Sequence, residues 1–162
     1  MDEAKFITLD NCLTILIYTD RSKSTNHMEL FTFYGGNYSS YIDYNGKKRN
    51  IKEGSAHLLE HYVCENTVSG DLLDNLRKYN VLSCNAGTSA FNTSYFFNTV
   101  CNFYECLDTF LDGIYNVSFT NEKLNKTKYA VLNEIRDSQN NEGRRIADIR
   151  DRTLFSNCMD NL

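Results

Sequence analysis

The sequence holds three histidines, and two of them stand four residues apart with a glutamate between: His57, Glu60 and His61 in GSAHLLEHYVCENT. At about 100° per residue on a helix, His57, Glu60, His61 and Cys64 fall within one arc. Two imidazoles at i and i+4 point the same way, close enough to share one cation. Zinc accepts neutral imidazole and oxygen ligands, and a catalytic zinc keeps three protein ligands plus an open position. A third ligand must then come from elsewhere in the chain. Glu60, one turn from His57 and next to His61, is placed to deprotonate a water rather than to bind the metal. The order His-x-x-Glu-His inverts the commoner His-Glu-x-x-His and follows the same physical logic. The competing reading is a polar helix face that carries its histidines by chance.

Those residues need a helix with a packed back. Ser55 reads as an N-cap for a helix through about Glu65, with Leu58, Leu59, Tyr62 and Val63 facing the core. Upstream, alternation and β-branched residues predict strands near Lys5–Leu9, Leu13–Thr19 and Met28–Tyr34, the first two joined by a tight turn at DNC. The segment GGNYSSYIDYNGKKRNIKEG reads as a long loop, whose Tyr38, Tyr41 and Tyr44 are candidates for lining a substrate entrance. Downstream, Ser69 reads as the cap of a helix over Gly70–Lys78. VLSCNAGT and TSYFFNTV read as an antiparallel hairpin turning around Ser89–Asn92. Asn102 and Glu105 resemble a capping box, followed by Phe103, Cys106, Leu107, Phe110, Leu111, Ile114 and Tyr115 at helical spacing. Thr120 starts another helix that turns Leu124, Val131, Leu132 and Ile135 inward, and a last helix covers about Asn141 to Leu154. The expected class is α+β, a mostly antiparallel sheet packed against helices.

Composition narrows the function classes. A chain of 162 residues with 41% hydrophobic and 23% charged residues suits one soluble domain with its own core. A net charge of −4 leaves no basic excess for a nucleic-acid partner. Arg144, Arg145, Arg150 and Arg152 do cluster, but Glu142, Asp148 and Asp151 are interleaved, as on a solvated helix face. No apolar run approaches the roughly 20 residues of a membrane span. The start, MDEAKFITLD, lacks the blocks of a secretory signal. Cys12, Cys64, Cys84, Cys101, Cys106 and Cys158 contain no C-x-x-C pair and read as reduced thiols, which points to a cytoplasmic protein.

Four segments, in order, resemble a known family. LDNCLTILI is similar to an opening LDNGL hairpin, and GSAHLLEH to G-x-A-H-x-L-E-H. NAGTSAFNTSYFF, Asn85 to Phe97, is similar to an N-A-x-T…T-x-Y hairpin. SFTNEKLNKTKYAVLNEI resembles the segment that brings a third zinc ligand. Together they resemble the pitrilysin or insulinase-type metallopeptidases (inverzincins) from about Phe6 to Ile135. The resemblance implies Zn2+ held by His57, His61 and Glu134, with Glu60 as the catalytic base of an endopeptidase acting on short or unfolded peptides. It makes Asn85 and Ala86 the strand edge to which a peptide substrate adds. Glu142 is the rival third ligand, without an apolar flank to fix its direction.

Three departures from the family pattern qualify this expectation. Thr127 stands where members often carry a metal-supporting glutamate. Cys12 replaces the glycine of the turn, so a non-glycine is expected at positive φ. Finally, members enclose substrate between two homologous halves or subunits, and this chain, read as one incomplete domain over 1–162, carries only the metal-bearing half. The alternatives are therefore a catalytically inactive or weakly active subunit that binds a peptide or partner chain, and a structural zinc site closed by Cys64.

Overall fold

The computed structural model describes residues 3–159, apart from the side chains of residues 3, 148, 151, 152 and 155–159. Asp148, Asp151 and Arg152 of the mixed-charge face, and Cys158, therefore lie outside the described side chains. The strands are β1 (Glu3–Thr8), β2 (Thr14–Thr19), β3 (Asn26–Thr32), β4 (Ser40–Ile42), β5 (Lys48–Asn50), β6 (Ser83–Thr88) and β7 (Thr93–Thr99). The helices are α1 (Ser55–Glu65), α2 (Leu72–Arg77), α3 (Phe103–Tyr115), α4 (Asn121–Gln139) and α5 (Glu142–Met159). All strand pairs are antiparallel: β1 with β2, β4 with β5, and a three-stranded sheet in the order β3-β7-β6. The α+β class expected from the sequence is the class observed.

The core lies between this sheet and α1, α2 and α3. β7 alternates strictly, burying Thr93, Tyr95, Phe97 and Thr99 on one face. Phe97, wholly buried, meets Phe110 of α3 edge-on at 5.5 Å between ring centroids. Val63, Cys64, Leu72, Leu76 and Cys106 complete the same cluster. Gly113 lets α3 approach α2, because a Cβ there would lie 2.6 Å from Leu72 Cδ1.

Several local expectations are corrected. The loop after β3 contains the β4–β5 hairpin, turned by Asp43, whose carboxylate accepts from the amides of Asn45 and Lys47 and from Arg49 Nε. Gly54, not Ser55, caps α1: it sits at φ +78, which glycine adopts at little cost, and its carbonyl accepts from Leu58 N. Asp71, not Ser69, caps α2 by accepting from Asp74 N at 2.9 Å. Asn102 makes no capping box, since its backbone is left-handed at φ 55 and its amide reaches Tyr79 O instead. Thr120 does cap α4, accepting from Lys123 N. α5 runs past Leu154 to Met159. Cys12 lies at φ 67, the left-handed conformation expected of the β1–β2 turn.

The inward faces of two helices also differ from the sequence reading. On α1, Leu59 is exposed, whereas Glu60 and Cys64 are buried. On α4, Leu132 and Ile135 are exposed, and the buried positions are Thr127 and Val131. Hydrophobic spacing alone put the α4 stripe about a fifth of a turn to one side, because the line facing α1 is partly polar. Polar seams carry no signal in an apolar periodicity.

Candidate functional site

α1 and α4 meet along a seam of three polar contacts that fix their register. Tyr62 of α1 lies flat on Phe119 at 4.8 Å, donates its hydroxyl to Ser118 O, and accepts from Thr120 N at the start of α4. Thr127, wholly buried about two turns later, donates to Glu65 Oε2 at 2.9 Å and accepts from Asn66 Nδ2 at 3.2 Å. Glu134, two turns beyond Thr127, faces His57 and His61. From Thr127 to Glu134, rising numbers on α4 meet falling numbers on α1, from 65 and 66 back to 61 and 57, so the helices run antiparallel past the histidines. The seam delivers Glu134 to the histidines because 127, 131 and 134 share one face of α4.

The three donors converge. His57 Nε2 lies 3.1 Å from His61 Nε2, and Glu134 Oε2 lies 3.4 Å from the first and 3.1 Å from the second. Tetrahedral zinc with bonds of about 2.0–2.1 Å has ligand-to-ligand edges of about 3.3–3.4 Å. The triangle therefore matches the face of a zinc tetrahedron, and its donor set of two imidazoles and one carboxylate suits that metal. Protons alone satisfy it poorly, since a single hydrogen fits between the facing imidazole nitrogens. Among the described residues these three form the one His/Cys/Asp/Glu group whose donor atoms all lie within 4.8 Å of one another. Glu134 is 44% exposed, so burial does not force a partner on it; convergence is what singles it out.

Glu60 stands outside the ligand triangle. It is buried, and its Oε2 accepts from Thr88 Oγ1 at 2.7 Å, at the end of β6. Thr93 Oγ1, 3.2 Å from Thr88 Oγ1, donates to Tyr34 O. A carboxylate held by one oxygen keeps the other free for a substrate or water. Asn85 and Ala86 lie on the same strand, β6, whose register pairs them with Phe96 and Tyr95. β6 hydrogen-bonds to β7 on one side and forms the outer strand of its three-stranded sheet.

The other candidates are placed elsewhere. Cys64 lies in the apolar cluster, where burial first and the nearby Glu60 charge second push its thiol up to about 12. It is absent from the ligand group, which corrects its assignment to the metal-facing arc and removes the closed four-ligand reading. Glu142 opens α5 and is likewise outside the group. Tyr44 is 96% exposed at the tip of the β4–β5 hairpin. Sequence reasoning missed Glu65 and Thr88. Glu65 had a signal, its i+4 spacing from His61; Thr88 had none, because its partner lies on another element.

An inverted His-x-x-Glu-His helix thus meets a glutamate from an antiparallel helix, beside an open strand edge. Residues 47–160 match the family described as Insulinase (Peptidase family M16), and the chain belongs to that family. It is 27% identical over 129 residues to the Uncharacterized zinc protease YmfH of Bacillus subtilis (strain 168), covering 78% of this chain and 29% of that protein. The crystal structure of a protein described as an M16-like peptidase, from Alicyclobacillus acidocaldarius, superposes with a TM-score of 0.80 at 23% identity, covering 89% of this chain and 33% of that one. Pitrilysin superposes with a TM-score of 0.72 at 20% identity, covering 94% of this chain and 16% of its own. These structures speak for a shared fold. The chain spans about a third or less of the length of each relative. No helix among the described residues is long and apolar enough to cross a membrane.

Proposed function

We propose that this chain is the metal-bearing half of a zinc-dependent endopeptidase acting on short or unfolded peptides. The observation that carries the reading is the triangle of His57, His61 and Glu134 donors, with edges of 3.1–3.4 Å. The naming of the Bacillus relative as a zinc protease supports the choice of metal. Zinc at this position supplies Lewis acidity, polarising the scissile carbonyl and lowering the pKa of a water toward ~7.

The remaining chemistry belongs to the protein. Glu60 takes the proton of the attacking water and later passes it to the leaving amine. Thr88 holds that carboxylate in one orientation, so no reorganisation is required as the proton moves. The peptide adds as a strand along Asn85 and Ala86 of β6, which gives main-chain affinity with little demand on side chains. Residues 1–162 act as one domain, and a second homologous half or subunit closes over the substrate. The described cysteines are free thiols, in keeping with a cytoplasmic placement.

A second reading is a subunit that binds peptide or partner without chemistry of its own. It is favoured by length, since the chain covers 29% of the Bacillus relative. Zinc content and hydrolysis of a quenched peptide, measured beside Glu60→Gln, separate the two. The peptidase reading expects about one zinc per chain in both proteins and hydrolysis at least ~100-fold slower in the variant. Bound zinc without hydrolysis, alone or with a candidate second half, leaves only the binding-subunit reading.

A further inference from the structure

His61 meets a carboxylate at each end of its ring. Its Nε2 faces Glu134 Oε2 at 3.1 Å, and its Nδ1 faces Glu65 Oε1 at 3.6 Å. His57 has no such partner at Nδ1 among the described residues. The two oxygens of Glu65 are divided between tasks. Oε2 is anchored by the Thr127 hydroxyl at 2.9 Å, and Oε1 is left turned to the ring. A hydroxyl has one proton, so a Thr127 that donates to Glu65 must accept from Asn66, whose Nδ2 lies 3.2 Å away. Asn66 is itself tied back to Tyr62 O at 3.1 Å, and both Asn66 and Thr127 are buried. The hydrogen-bond direction is thus set along the whole chain, from Asn66 through Thr127 to Glu65.

We propose that Glu65, held by Thr127 and Asn66, is the positioning carboxylate of the metal centre and fixes the orientation of the His61 ring. When a metal takes the Nε2 lone pair beside Glu134 Oε2 and His57 Nε2, the ring proton sits on Nδ1, and there it meets the Glu65 carboxylate. The separation of 3.6 Å is a charge-to-ring contact longer than a hydrogen bond, and it orients the ring through the attraction between Glu65 and the Nδ1 edge. Thr127, which in sequence reads as the loss of a supporting glutamate, then belongs to a relocated support. α1 supplies the carboxylate and α4 the hydroxyl. A glutamate at 127 would press a second carboxylate against Glu65 at a fully buried position, so the threonine is matched to its partner.

The inference rests on the zinc reading above, and the experiment separates their failures. Zinc affinity is measured by chelator competition on the full chain, with apo-protein stability followed by urea unfolding. Glu65→Ala is expected to weaken zinc binding about 10–100-fold. Thr127→Val is expected to weaken it several-fold, Thr127→Ser to restore it, and the double variant to be no weaker than Glu65→Ala alone, since Thr127 acts through Glu65. In proton–nitrogen spectra of the zinc-loaded chain, the His61 Nδ1–H proton is expected downfield, moving upfield in Glu65→Ala. Wild-type affinity in Glu65→Ala, or effects that multiply in the double variant, would overturn the positioning role while leaving the zinc site intact. A wild-type chain that takes up no zinc overturns both, and a His61 Nδ1–H proton unmoved by Glu65→Ala overturns the positioning role by itself.

Discussion

The seam between α1 and α4 and the β1–β2 hairpin are both regular, and they differ in what lies behind them. β1 and β2 pair along their full length, yet Phe6, Leu16 and Tyr18 are 71%, 56% and 60% exposed. α1 is instead backed by α2, α3 and β6, and even the polar Glu60 and, at its C-cap, Asn66 are buried with partners. A backbone ladder fixes register but removes little apolar surface from water. The lesson is that the chemistry is placed where a second layer makes side-chain positions unique. Sheet hydrogen bonding by itself leaves them loose.

The contrast is tested most severely in the core. Phe97→Ala is expected to cost about 3–5 kcal/mol in urea unfolding, from lost burial and the cavity left against Phe110. Phe6→Ala is expected to stay within about 0.5 kcal/mol. Equal costs would mean that the two regions share one packed environment, contrary to the exposures above.

A smaller effect is expected where the core touches the site. Thr88→Val removes the hydroxyl from the buried Glu60 carboxylate at nearly constant volume and is expected to cost about 1–3 kcal/mol. Under the proposed function it also lowers kcat more than it raises KM, while zinc content stays at the wild-type level. A variant that lost zinc instead would place Thr88 with the ligands' supports rather than with the base.

The mildest expectation concerns pH. Burial raises the Cys64 thiol from 9.0 to about 12, and burial raises the Tyr95 hydroxyl as well. Above pH 9 the unfolded chain releases a proton that the folded chain keeps, so the unfolded state is progressively favoured up to about pH 12. Stability should therefore fall along this alkaline limb, and Cys64→Ala should flatten it while lowering the plateau. An unchanged slope in the variant would place the alkaline loss on other groups, Tyr95 first.

Much of this was legible in the residues. The His57–Glu60–His61 arc depends only on helical geometry, and α1 ends at Glu65 as predicted and starts one residue before the helix expected behind a Ser55 cap. The Ser89–Asn92 turn, the positive φ at Cys12 and the Thr120 cap are likewise local and were found where expected. The β4–β5 hairpin was hidden because its strands are three residues each, too short for alternation to register. The wrong inward stripe on α4 has a related cause: Leu132 and Ile135 carry the hydrophobic pattern, but Thr127, Val131 and Glu134 face the partner helix.

By itself, then, the sequence determined which helix carries two donors and a base, because 3.6-residue periodicity is written into consecutive positions. It also carried the motif order by which Glu134 was chosen. Tertiary structure alone decided that Glu134 lies within 3.4 Å of both imidazoles, that Thr88 reaches Glu60, and that Thr127 anchors Glu65. Each of these pairs joins residues 28 or more positions apart. No local preference specifies such a meeting; packing two helices and a sheet around one core does.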